Sequence, residues 1–154
     1  MKMNPLGRTG IQVSELCLGT MTYGTQTPES EAHEQISYAL DHGINFLDSA
    51  EMYPVNPIRK ETTGLSEQII GTWNAANPGR RDSYILATKH SGAGANARDG
   101  APISSKTIPE AVEGSLKRLQ TDVIDLYQFH WPNRGSYMFR KNWTYDPTSQ
   151  DRDD

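Results

Sequence analysis

The chain has 154 residues, enough for one domain with a buried core, and carries 19 acidic against 15 basic residues for a formal charge of −4. That balance excludes the strong basic patches of nucleic-acid and membrane-surface binders, and no signal-peptide core or run approaching ~18 apolar residues is seen. A single cysteine, Cys17, excludes an internal disulfide framework; a reducing, cytoplasmic location is expected, with the thiol as a small buried side chain.

Residues 3–14 hold Gly7 and Gly10 between short apolar pieces, the pattern of a hairpin ahead of a main sheet. Glu15 to Met21 reads as the first buried strand. Thr27 is placed as the cap of a helix with Pro28 at its first position. Ala32, Ile36, Ala39 and Leu40 then recur at helical spacing, and Gly43 suits a left-handed stop. The apolar run after it, bounded by Gly43 and Pro54, is the second strand, and Asp48 stands where it ends.

Pro54 to Thr63 is a polar loop of the kind that shapes substrate access. Leu65, Ile69, Trp73 and Ala76 give a second helical stripe, stopped by Asn77-Pro78-Gly79, and Tyr84 to Lys89 is the third strand. A Gly- and Ala-rich loop, 91–105, leads to a third helix, with Thr107 and Glu110 as a capping box and Ile108, Val112, Leu116 and Leu119 as its apolar stripe. Gln120-Thr121-Asp122 turns into a fourth strand over Val123 to His130. Residues 131–154 show no periodicity and are expected as a loop and polar tail; the sequon Asn142-Trp143-Thr144 within them is taken as accidental.

A hairpin followed by β-α-β-α-β-α-β demands a parallel sheet with helical crossovers. Two architectures compete. For an open doubly wound sheet, Gly92-x-Gly94-x-x-Ala97 follows a strand as a dinucleotide fingerprint would, but Arg98-Asp99-Gly100-Ala101-Pro102 cannot continue as the helix that holds a pyrophosphate. A TIM barrel needs eight βα units over roughly 250 residues, and four strands are found here.

Equal steps of 41 residues separate Asp48, Lys89 and His130, and each closes an apolar run. Parallel strands would bring the three to one sheet edge, the edge at which α/β proteins bind ligands. Tyr53 lies five residues after Asp48. A phenol with a pKa near ~10 is a poor acid–base group at neutral pH. Lys89 is therefore expected to lower that value, Asp48 to hold Lys89, and His130 to orient a carbonyl oxygen through an N–H or an imidazolium. Such a set suits protonation of a carbonyl oxygen while a nicotinamide supplies hydride to the carbon. Singly, each residue has a plainer use as turn, solvated or packing side chain, so their shared placement carries the reading. His33, His42 and His90 lack metal-ligand spacing, and no metal is expected.

Several ordered segments carry a resemblance: Pro5 through Ser14, Leu18-Gly19-Thr20-Met21, Gly43 through Tyr53, Ala87-Thr88-Lys89, Ser115 through Leu119 and Asp125 through Pro132. Together they resemble the aldo-keto reductases, and within them the bacterial Tas-like branch. The resemblance implies a (β/α)8 TIM barrel of which 1–154 supplies the N-terminal half, with the hairpin, four strands and three helices present and the C-terminal half absent, as in a truncated enzyme. It implies reduction of a small-molecule aldehyde or ketone by NADPH, with Tyr53 as proton donor assisted by Lys89, Asp48 and His130. By the same resemblance Thr20, Met21, Gln26 and Asp48 are expected at the cofactor and Trp131 in the substrate pocket. A non-catalytic, nucleotide-sensing half-barrel like the potassium-channel β subunits, dependent on a second chain, is the alternative; nucleic-acid and membrane partners are not expected.

Overall fold

The computed structural model describes residues 1–133 together with Trp143, Thr144, Asp146 and Thr148; beyond these, the tail expected over 131–154 and Asn142 of its sequon lie outside the described residues. Strands β1 (Met3–Pro5) and β2 (Gln12–Ser14) pair antiparallel as the expected hairpin. Four parallel strands then alternate with three helices: β3 (Leu18–Gly19), α1 (Glu29–Asp41), β4 (Phe46–Asp48), α2 (Leu65–Ala76), β5 (Ile85–His90), α3 (Thr107–Leu119) and β6 (Leu126–Phe129). Their order in space, β3-β4-β5-β6, is their order in the chain. A sheet whose order runs on without reversal is a barrel wall, whereas a doubly wound sheet binds its nucleotide where the order reverses. The residues after Gly92 agree, because Arg98 and Asp99 take left-handed backbone (φ 48° and 51°) within a short 3-10 turn, Ala97–Gly100, and no α-helix begins until α3.

Register sorts side chains between the two faces of this sheet. Leu47 pairs with Leu86, and both are fully buried against the helices. The next residues point the other way, so Asp48 on β4, paired with Ala87, shares a face with Lys89 and its partner Gln128. On the helix side Ala32 and Ile36 of α1, Ile69, Ile70 and Trp73 of α2, and Leu119 of α3 close over Leu47 and Leu86. Trp73 is buried without loss because its indole N–H donates to Ser37 Oγ at 3.0 Å.

Several expected boundaries move. The first strand is Leu18–Gly19 rather than Glu15 to Met21, and Leu16 and Met21 are exposed, because only Leu18 and Gly19 find ladder partners on the three-residue β4. The fourth strand likewise shortens to Leu126–Phe129, leaving Val123 exposed, while the third shifts to Ile85–His90. Thr27 does not cap α1; its hydroxyl meets Thr22 Oγ1 at 2.9 Å, and Pro28 precedes the helix. At α3 the reciprocal cap joins Ser104 and Thr107, the Ser104 N–H donating to Thr107 Oγ1 at 2.9 Å and the Thr107 N–H to Ser104 Oγ at 3.1 Å, not Thr107 and Glu110. The buried line of α3 is Thr107, Ala111, Ser115 and Leu119, with Ile108, Val112 and Leu116 only partly covered. Ala76 of α2 is exposed, and Ser66, Glu67, Gly71 and Asn74 are buried instead.

The α2–α3 contact explains that substitution of small and polar residues. A Cβ built on Gly71 would lie 2.0 Å from the Arg118 carbonyl oxygen, and Asn74 Nδ2 donates to the Leu119 carbonyl at 2.8 Å. Helix propensity alone favours alanine over glycine by about 1 kcal/mol. Gly71→Ala is nevertheless expected to destabilise by about 1–3 kcal/mol through overpacking against backbone, read as a lower urea midpoint. Gly114→Ala, whose new methyl meets only the movable end of Arg118 at 3.1 Å, should not show that loss.

Candidate active site

Asp48 ends β4 and Lys89 is the penultimate residue of β5, one face of the parallel register carrying both. Lys89 Nζ donates to Asp48 Oδ2 and to the Ser49 carbonyl oxygen, each at 2.6 Å, with 14% of the lysine side chain and 30% of the aspartate exposed. The Thr20 amide and hydroxyl both donate to the Asp48 carbonyl at 3.0 Å, clasping the end of β3 to the end of β4. Gln128, in register with Lys89, offers its Nε2 to Asp48 Oδ1 at 3.4 Å. Gln128 had a readable signal, since it precedes His130 by two and so shares its strand face.

After β4 the chain bends beside β5, with the Ser49 N–H on the Ala87 carbonyl at 2.9 Å and the Glu51 N–H on the Lys89 carbonyl at 3.2 Å. A turn from Ala50 brings Tyr53 back over Lys89, and the N–H groups of Gly64 and Ser66, at the start of α2, anchor the Tyr53 carbonyl. Lys89 Nζ lies 5.0 Å from the centre of the Tyr53 ring, over its face. His130 extends β6 through its N–H to the His90 carbonyl at 2.9 Å, and its ring stands edge-on to Tyr53 at 5.6 Å between centroids. Asp48, Tyr53, Lys89 and His130 therefore meet in one place. Trp131 adjoins them, its ring 5.3 Å from that of His130 and its indole filling the space where a Gly92 side chain would sit.

Electrostatics departs from expectation at Tyr53. Burial, and then the Asp48 carboxylate, push the phenol above its ordinary value, where the sequence had Lys89 lowering it. The ammonium faces the ring and gives its hydrogen bonds to Asp48 and Ser49, so its charge is already answered. His130 is pulled down to about 4 by burial and by Lys89, and is neutral at neutral pH. Cys17 is exposed rather than buried, and partial burial with the Asp48 charge raises its thiol to about 11.

The residues expected at a cofactor differ among themselves. Met21 is 42% exposed at the end of β3, where its carbonyl accepts the Val55 N–H at 3.4 Å. Thr20 is fully buried and committed to Asp48, and Gln26 is exposed on the turn before α1, with no hydrogen bond to Asp48, Tyr53, Lys89 or His130. Sequence reasoning passed over Glu51 and Arg98, a buried ion pair beside this site whose partners are 47 residues apart. Among the described residues no group of three or more His, Cys, Asp or Glu could hold a metal ion, and no helix is long and apolar enough to cross a membrane.

A family model described as the aldo/keto reductase family matches residues 15–145. Protein tas of Escherichia coli (strain K12) is 46% identical over 151 residues, which cover 94% of this chain and 43% of that protein. A probable voltage-gated potassium channel subunit beta of Arabidopsis thaliana is 31% identical over 156 residues, covering 94% and 45%. Among solved structures, the holo form of an aldo-keto reductase from Bacillus halodurans superposes with a TM-score of 0.68 at 40% identity, over 84% of this chain and 40% of that one. The chain thus spans less than half the length of these relatives.

The depressed His130 fixes a sign for pH dependence. Its folded value near 4 lies below its ordinary 6.5, so the unfolded chain binds the proton more tightly; stability is intact above about pH 6.5 and is lost as pH falls toward 4. His130→Gln is expected to flatten the decline of the urea midpoint between about pH 7 and about pH 4.5. An equally steep decline in the variant would assign the acid sensitivity to other groups.

Proposed function

The chain belongs to the aldo/keto reductase family, and from that premise we propose that its residues are the N-terminal half of a barrel oxidoreductase that reduces an aldehyde or ketone with NADPH. The observation that carries the reading is the meeting of Tyr53, His130 and the Lys89–Asp48 pair at the carboxyl ends of neighbouring parallel strands. A bound nicotinamide supplies hydride to the carbonyl carbon.

Tyr53 is the proton donor. Its raised pKa keeps it fully protonated at neutral pH, and an alkoxide forming on the substrate is a much stronger base than a phenolate, so the proton passes from the Tyr53 oxygen to the carbonyl oxygen. Neutral His130 offers a ring N–H to the same oxygen and fixes its direction. Lys89, held by Asp48 and Ser49, braces the Tyr53 ring from its face. Met21, exposed just after β3, would offer the nicotinamide an apolar contact, with Thr20 steadying the Asp48 backbone and Gln26 belonging to the outer loop. Trp131 forms a wall for the carbonyl compound. The preference for NADPH over NADH rests on the family alone.

The likeness to a channel β subunit supports a second reading, nucleotide sensing without turnover. Tyr53→Phe separates the two. It is expected to lower kcat for carbonyl reduction by about 10²–10⁴-fold, followed by nicotinamide absorbance, with NADPH binding unchanged. Unchanged reduction would remove Tyr53 from its role, and tight NADPH binding without turnover in the unaltered protein would favour sensing.

A further inference from the structure

Glu51 lies between Asp48 and Tyr53 in the chain and is only 3% exposed, yet no step proposed above uses it. A carboxylate at that depth persists only when fully paired. Its Oε1 accepts the Ser91 N–H at 2.5 Å and its Oε2 accepts Arg98 Nη1, while Arg98 Nη2 donates to the Ser91 carbonyl at 3.0 Å. Glu51, Ser91 and Arg98 therefore close a ring across the ends of β4 and β5.

The approach of Arg98 has an independent mark in the backbone. Arg98 and Asp99 both hold left-handed φ, a conformation that side-chain-bearing residues rarely adopt and that survives where surrounding contacts over-determine it. The Arg98 guanidinium bonds Glu51 and the Ser91 carbonyl there, while Asp99 pairs with Lys60 at 3.1 Å. Two members of the ring are also one step from the site: Glu51 precedes Tyr53 by two residues and its N–H is on the Lys89 carbonyl, and the His90 carbonyl, next to Ser91, receives the His130 N–H.

We infer that the Glu51–Arg98 ion pair is a positioning latch, fastening the loop after β5 to the turn that bears Tyr53 and so fixing Tyr53 and His130 about Lys89. The pair acts through the residues it holds and touches no reacting atom; the inference rests on the reductase reading above.

Three variants of the full chain test it. Glu51→Gln keeps the shape and removes the charge, Arg98→Ala removes the other half, and Arg98→Lys returns the charge without the planar fork. Each is measured for carbonyl reduction with NADPH and for the ultraviolet titration of Tyr53, isolated by subtracting the same variant carrying Tyr53→Phe. Glu51→Gln and Arg98→Ala are expected to lower kcat by about 10²-fold, the effect of a displacement of about 1 Å, with KM little changed. In both, Tyr53 should ionise closer to an ordinary tyrosine as water reaches it, and Arg98→Lys should recover part of each effect. An unchanged Tyr53 titration in both Glu51→Gln and Arg98→Ala overturns the latch. A complete barrel, with its C-terminal half, that shows no reduction at all defeats the reductase reading, and the Tyr53 titration alone then supports or overturns the latch; should Glu51→Gln not fold, Arg98→Ala carries both readouts.

Discussion

The site depends on one ammonium held in a nearly closed place. Lys89 spends two of its three donors on the Asp48 carboxylate and the Ser49 carbonyl, both at 2.6 Å, and a charge with 14% of its side chain exposed needs such partners. That arrangement exists only because β4 and β5 run parallel in one register, with Asp48 opposite Ala87 and Lys89 two residues further along the same face. A slip by one residue would turn Lys89 into the helix layer and bring Thr88 or His90 to the site. The Thr20 clasp on the Asp48 carbonyl, the Gln128 amide on Asp48 Oδ1 and the Tyr53 ring over Nζ are all laid onto that pair.

The opposite face of the sheet is less purely apolar than its stripes suggest. Glu67 of α2 is fully buried and accepts from the Thr88 hydroxyl at 2.5 Å and from Arg118 Nε at 2.7 Å. Arg118 reaches it past Gly64, where a Cβ would stand 2.7 Å from its Cδ, so the glycine clears the path of the guanidinium. Two buried ion pairs, Glu67–Arg118 and Glu51–Arg98, thus fasten α3 and the loop after β5 to the elements beside them. Tyr127, directed into this layer from β6, has its hydroxyl buried with no hydrogen-bond partner among the described residues, and burial raises its pKa first, with Glu51 adding to the rise.

Desolvation outweighs neighbouring charge at both aromatic acid–base groups. For Tyr53 it works with Asp48 to hold the proton on; for His130 it works with Lys89 to keep the proton off. The result at neutral pH is a protonated phenol beside a neutral imidazole, with the Lys89 and Asp48 charges paired to each other next to them.

The order of elements, the hairpin and the sharing of one face by Asp48, Lys89 and His130 were legible in the sequence, because apolar runs and the equal spacing of 41 residues are local, periodic signals that survive in one dimension. The aldo/keto reductase likeness was legible in ordered motifs such as Gly43 through Tyr53 and Asp125 through Pro132. Strand limits were not, since Leu18–Gly19 and Leu126–Phe129 extend only as far as ladder partners exist on the next strand. Nor was the Ser104–Thr107 cap, which needed the loop to bring two hydroxyls together. The direction of the Tyr53 shift, the exposure of Cys17 and the pairing of Glu51 with Arg98 belong wholly to the tertiary structure. Each is decided by how much water is excluded, or by which distant side chain arrives, and neither quantity is written in the order of residues.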